Sequence, residues 1–125
     1  MKVNPYLWFN GNCAEAIAHY ERAFGIKAEV VPNEEDASLV AHAQIPLGND
    51  FVMLCDIPSD DPAIFGNNMQ ISITFGEADF PALTAAFNVL KEGGEVIIEP
   101  EASDWSNYFG LTTDKFGVMW SICNS

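Results

Sequence analysis

Hydrophobic and polar positions along the chain fall into two successive runs of the same order. Val3–Phe9 is apolar and aromatic and predicts a strand, followed by the turn Asn10-Gly11-Asn12. Cys13, Ile17, Tyr20 and Phe24 then recur at the spacing of one helix face. Asn12 is placed to cap that helix, with Glu15 completing a variant of the capping box, and Gly25 is placed to end it. Lys27–Val31 follows, then the polar break Asn33-Glu34-Glu35-Asp36. Leu39, Ala41, Ala43, Ile45 and Leu47 alternate with Val40, His42, Gln44 and Pro46, which is a strand pattern. Gly48-Asn49-Asp50 predicts a tight turn into the apolar strand Phe51–Cys55, so this pair reads as a hairpin. The first run is β-α-β-β-β.

Residues 56–68 contain Pro58, Asp60, Asp61, Pro62, Gly66, Asn67 and Asn68 and read as a linker. The order then starts again. Met69–Phe75 predicts a strand with Ile71, Ile73 and Phe75 on one face and Gln70, Ser72 and Thr74 on the other. Asp79 is placed to cap a second helix, with Pro81 in its first turn, Leu83, Phe87 and Leu90 as its buried stripe, and Gly93-Gly94 as its stop. Glu95–Ile98, Asn107–Thr113 and Val118–Cys123 predict three strands, the last two joined by the turn Asp114-Lys115-Phe116-Gly117.

The repeat predicts an α+β fold: paired βαβββ modules, about residues 1–57 and 68–125, forming a cupped mixed sheet within a single domain. One face of each sheet would lie under its helix, and the other would help form a shared concave cleft. A ferredoxin-like or other α+β sandwich has the same element count but does not account for the repeat.

Composition narrows the function. At 125 residues, 49% hydrophobic and 18% charged, the chain can build a core and is not disordered. Net charge is −13, which excludes the basic footprint of a nucleic-acid binder and disfavours anionic membrane surfaces. The apolar runs are too short to span a bilayer, and the first residues carry no secretory h-region, so a cytoplasmic protein is expected. Cys13, Cys55 and Cys123 have neither CxxC nor zinc-site spacing and read as reduced thiols, though a helix start beside Cys13 would favour its thiolate. No phosphate-cradling glycine loop and no GxSxG elbow occurs. The acidic groups Glu34-Glu35-Asp36 and Asp60-Asp61 lack calcium-loop spacing and read as solvated surface.

The doubled order, together with particular residues, resembles a known family. These are Tyr6-Leu7-Trp8-Phe9-Asn10-Gly11-Asn12-Cys13-Ala14-Glu15-Ala16, Tyr20-Glu21-Arg22-Ala23-Phe24-Gly25, His42-Ala43, Phe51-Val52-Met53-Leu54 and the block Tyr108–Trp120. The chain resembles the vicinal-oxygen-chelate superfamily of glyoxalases, extradiol dioxygenases and bleomycin-resistance proteins, and more narrowly its PhnB-like branch. The resemblance implies four metal-ligand positions at Pro5, Met53, Gln70 and Ser121, of which only Gln70 offers a side chain able to serve. No metal and no cofactor are therefore expected. The resemblance also implies a homodimer.

For the cleft, Leu7, Phe9, Met53 and Met119 are the expected walls, and Gln70, Ser72 and Ser121 the orienting polar groups. Trp105 and Tyr108, with Phe109, form an expected stacking wall. His42 is the candidate general base, set against a structural or solvent-facing histidine, and His19 reads as surface. A metal-free small-molecule binder is the leading expectation. The alternatives are a glyoxalase-type lyase or isomerase using His42, and a regulatory dimer without ligand.

Overall fold

The computed structural model describes residues 1–103 and 106–125 and divides into two compact units, Met1–Ile64 and Phe65–Ser125. The first unit contains β1 (Tyr6–Phe9), α1 (Cys13–Phe24), β2 (Glu29–Pro32), β3 (Val40–Leu47) and β4 (Asp50–Asp56). Its sheet has the order β1-β4-β3-β2, with β1 parallel to β4 and the other pairs antiparallel. The second unit contains β5 (Ile71–Phe75), a short 3-10 turn, α2 (Phe80–Leu90), β6 (Glu95–Ser103), β7 (Ser106–Thr113) and β8 (Met119–Asn124). Its order, β5-β8-β7-β6, repeats the first, again with one parallel pair. The two-layer βαβββ plan read from the sequence is present in each unit, and the fold is α+β.

The core of the first unit lies between α1 and one sheet face. Phe9, Ala43, Ile45, Val52 and Leu54 meet Cys13, Ala16, Ile17, Tyr20 and Ala23, all buried. Alternation explains the assignment: residues two apart on a strand share a face, and the face under the helix is the apolar one. In the second unit Leu83, Ala86, Phe87 and Leu90 of α2 bury against Trp120 and Ile122. His19 is buried at 2% exposure, contrary to the expected surface position. It stands three residues after Ala16 and four before Ala23, so it belongs to the edge of the buried stripe.

Helix caps differ from the sequence reading. Asn12 and Asp79 make no side-chain capping bond. The start of α1 is held from β4: Asp56 Oδ1 accepts from the Cys13 N–H at 3.0 Å, and its Oδ2 accepts from the Val40 N–H at 2.8 Å. A local motif cannot reveal such a cap, because its acceptor lies 43 residues away. Gly25 closes α1 in the left-handed region at φ 63°, its N–H donating to the Glu21 carbonyl at 2.9 Å.

β6 runs five residues past its expected end at Ile98, through Glu99-Pro100-Glu101. It is an edge strand with register shifts, where proline removes no ladder bond the sheet needs. In α2 and α1 alike, no helix of the described residues is long and apolar enough to cross a membrane.

Candidate functional site

Strand register sorts the first unit's residues into a helix face and an open face. Tyr6 pairs with Met53, Trp8 with Cys55, and Gln44 with Met53, so these side chains share the open face. His42, two residues before Gln44, joins them. The intervening Leu7 and Phe9 point the other way, and Phe9 is fully buried under α1. The two residues expected as cleft walls on β1 therefore belong to the core layer, and their neighbours Tyr6 and Trp8, each 47% exposed, occupy the open face instead.

Tyr6 and His42 form the centre of this face. The Tyr6 hydroxyl lies 2.9 Å from His42 Nδ1, and the two rings meet edge to face with centroids 5.6 Å apart. On the other side of the imidazole, the Gln44 amide nitrogen stands 3.4 Å from His42 Nε2. The amide nitrogen can only donate, so Nε2 accepts and the ring proton sits on Nδ1, which donates to the Tyr6 hydroxyl oxygen. Burial, then a hydrogen bond with the Cys55 thiol, raises the Tyr6 hydroxyl above its ordinary pKa, so the phenol stays neutral through physiological pH. Burial also pushes the Cys55 thiol up, partly offset by that bond from Tyr6.

A pocket of about 610 Å³ opens beside these groups. Tyr6, Trp8 and Cys55 form one wall; Leu39, Val40 and Ala41 another; Ile57 and Pro58 a third. The third wall is a loop tied at both ends to the end of β1. The Ile57 N–H donates to the Phe9 carbonyl at 2.8 Å, and the Asn10 side chain bonds the backbone of Ala63 in both directions, at 3.1 and 2.7 Å. Asn33, also on the lining, folds its own turn by accepting from the N–H groups of Glu35 and Asp36.

In the second unit the open face carries Ser72 opposite Ser121, Met119 opposite Thr113, and Phe109 opposite Cys123. Ser72 is exposed, Met119 half-buried and Ser121 2% exposed. Gln70 is exposed just ahead of β5. Tyr108 does not join this face: its ring packs on Phe80 of α2 at 4.5 Å between centroids. Trp105 lies outside the described residues.

Cys13 is inert rather than activated. Burial, reinforced by the Asp56 carboxylate and by Cys55, pushes its thiol from 9.0 to about 12. The favourable helix terminus is spent on Asp56, which already accepts the Cys13 N–H.

The donors at the four expected ligand positions do not suit a divalent ion. Pro5 has no side-chain donor, and its carbonyl accepts from the Met53 N–H at 3.0 Å. Met53 offers a soft thioether, Ser121 a neutral hydroxyl with 2% exposure, and Gln70 a neutral amide. Among the described residues, no group of three or more His, Cys, Asp or Glu is placed to hold a metal.

Tyr6, Trp8, Gln44 and Cys55 were missed by the sequence reading. Their signal was present in His42 and Gln44, whose polar side chains mark the open face of β3; carrying that phase across the sheet through β4 would have selected Tyr6 and Trp8.

Similarity to known proteins follows the whole chain. Protein YjdN of Escherichia coli K12 is 28% identical, over 98% of this chain and 94% of its own. The crystal structure of protein PA1353 from Pseudomonas aeruginosa superposes with a TM-score of 0.83 at 28% identity, covering 100% of this chain and 98% of that one. A Bacillus cereus protein described as a putative 3-demethylubiquinone-9 3-methyltransferase, PhnB protein, shares the fold with a TM-score of 0.80 at 23% identity, covering both chains fully. The profile of one superfamily matches residues 2–122. With that match and the doubled βαβββ topology, the chain belongs to the Glyoxalase/Bleomycin resistance protein/Dioxygenase superfamily.

Proposed function

We propose that the chain is a metal-free small-molecule-binding protein of the PhnB-like branch, working without a cofactor and as a homodimer. The pocket beside Tyr6, Trp8 and Cys55 carries this reading: it is large enough for a small organic molecule and walled by aromatic and aliphatic groups. The poor donor set at Pro5, Met53, Gln70 and Ser121 supports the absence of metal chemistry. The likeness to YjdN and, in fold, to the PhnB protein supports the branch.

The test is a thermal-shift screen of small organic molecules beside zinc, nickel and manganese. A ligand present at about 100 times its Kd adds roughly 2.7 kcal/mol. Stabilisation by an organic compound, lost in Trp8→Ala, is the expected result. Stoichiometric uptake of a divalent ion with a rise in Tm would reverse the reading. Sedimentation velocity tests the homodimer.

A second reading, a lyase or isomerase with His42 as general base, draws on the Tyr6–His42 contact. The imidazole's one lone pair, on Nε2, already faces the Gln44 amide, which weighs against it, since a base must present a lone pair to its substrate. Turnover of a substrate that His42→Ala abolishes, at unchanged Tm, would establish it.

A further inference from the structure

We infer that the pocket of the first unit selects an organic cation with an aromatic or apolar body. This rests on the proposed binding role and adds the class of ligand.

The polar atoms around the cavity are largely committed. Asp56 gives both oxygens to the N–H groups of Cys13 and Val40. Asn33 Oδ1 takes the N–H groups of Glu35 and Asp36. The Tyr6 hydroxyl is shared between His42 and Cys55. A polar neutral ligand would shed water here and recover few bonds. An anion fares worse, because the lining contains no lysine or arginine and its one formally charged residue is Asp56.

The surfaces still available are ring faces and aliphatic walls. Trp8 and Tyr6 stand 47% exposed in the wall of the cavity, and a desolvated cation over such rings is attracted without needing a directional acceptor. Charge acts in the same direction. Glu34, Glu35 and Asp36 follow directly on the lining residue Asn33, and Asp60 and Asp61 come just after the lining residue Pro58. The Ser38 hydroxyl, and then its N–H, hold the Asp36 carboxyl below its usual range, so it remains charged. The whole chain, at −13, steers cations toward its surface and anions away. The acidic stretches read as solvated surface thus adjoin, along the chain, two residues of the pocket lining.

The experiment compares three ligands of one ring size on the full chain: N-methylquinolinium, neutral quinoline and quinoline-2-carboxylate, by calorimetry at mildly alkaline pH. The expected order is cation over neutral by about tenfold, with no detectable binding of the carboxylate. The advantage of the cation should shrink as salt rises. Trp8→Leu should lower cation affinity by about tenfold and Trp8→Phe by less, with circular dichroism and Tm confirming that both variants fold. Equal binding of quinoline and its N-methyl cation, or stronger binding of the carboxylate, overturns the charge preference and leaves the pocket reading standing. Binding of none of the three overturns both. Cation binding unchanged in a folded Trp8→Leu places the ligand elsewhere and overturns the assignment to this pocket.

Discussion

Asp56 shows how one residue can join separate parts of the chain. Its carboxylate is 8% exposed and satisfies two backbone donors, one opening α1 and one opening β3. Removing the acceptor leaves both N–H groups without it. Asp56→Ala is expected to cost about 3 kcal/mol in urea unfolding, above the effect of a surface carboxylate. Cys13 gives a pH prediction. Its folded pKa of about 12 exceeds the ordinary 9.0, so the folded state holds a proton that the unfolded chain releases. The contribution is therefore intact below pH 9.0 and lost as pH rises toward about 12. Cys13→Ser, which does not ionise in this range, should flatten the alkaline decline in stability. In native protein at mildly alkaline pH, Cys13 should also resist alkylation.

At the scale of elements, the turn joining α2 to β6 is set by close approach. A Cβ on Gly94 would press into the Thr113 carbonyl oxygen and stand 2.9 Å from Asp114 Cα, and backbone at both places cannot rotate aside. Gly94→Ala should destabilise by about 2 kcal/mol, read from denaturant midpoints. Gly66 is the contrast: its added methyl would meet only the Asn68 side chain at 3.5 Å, in ordinary contact. Gly66→Ala should be neutral or stabilise by about 0.5 kcal/mol through the unfolded chain. Asp114 performs for the β7–β8 turn what Asp56 does for α1. It is 3% exposed, accepts from the Phe116 and Val118 N–H groups, and takes the Trp120 indole N–H at 2.9 Å. The sequence marks Asp114-Lys115-Phe116-Gly117 as a turn; the indole bond comes from β8 lying directly behind it.

For the molecule as a whole, charge is the dominant property that no single contact reveals. Only 5 lysines and arginines oppose 18 acidic residues, and among the described ion pairs Lys27 meets Glu21 at a loose 3.9 Å. A compact chain so charged repels itself, and added salt screens that repulsion. Raising sodium chloride from low to physiological strength should stabilise the fold by about 1 kcal/mol and lift Tm by about 4 °C, measured by scanning calorimetry. A protein held together by surface ion pairs would move the other way.

The sequence by itself determined the element order, the repeat and the helix stripes. Those depend on local periodicity, and Leu83, Phe87 and Leu90 or Ile71, Ile73 and Phe75 display it without ambiguity. Tertiary structure alone decided which face of β1 is open. Tyr6-Leu7-Trp8-Phe9 is apolar on both faces, so alternation gives no phase, and only register with Met53 and Cys55 on β4 fixes it. The same holds for the Asp56 cap and the Tyr6–His42 contact, whose partners are 43, 16 and 36 residues apart. A periodic pattern records how a segment meets the core; it carries no record of which distant segment will supply its hydrogen-bond partner.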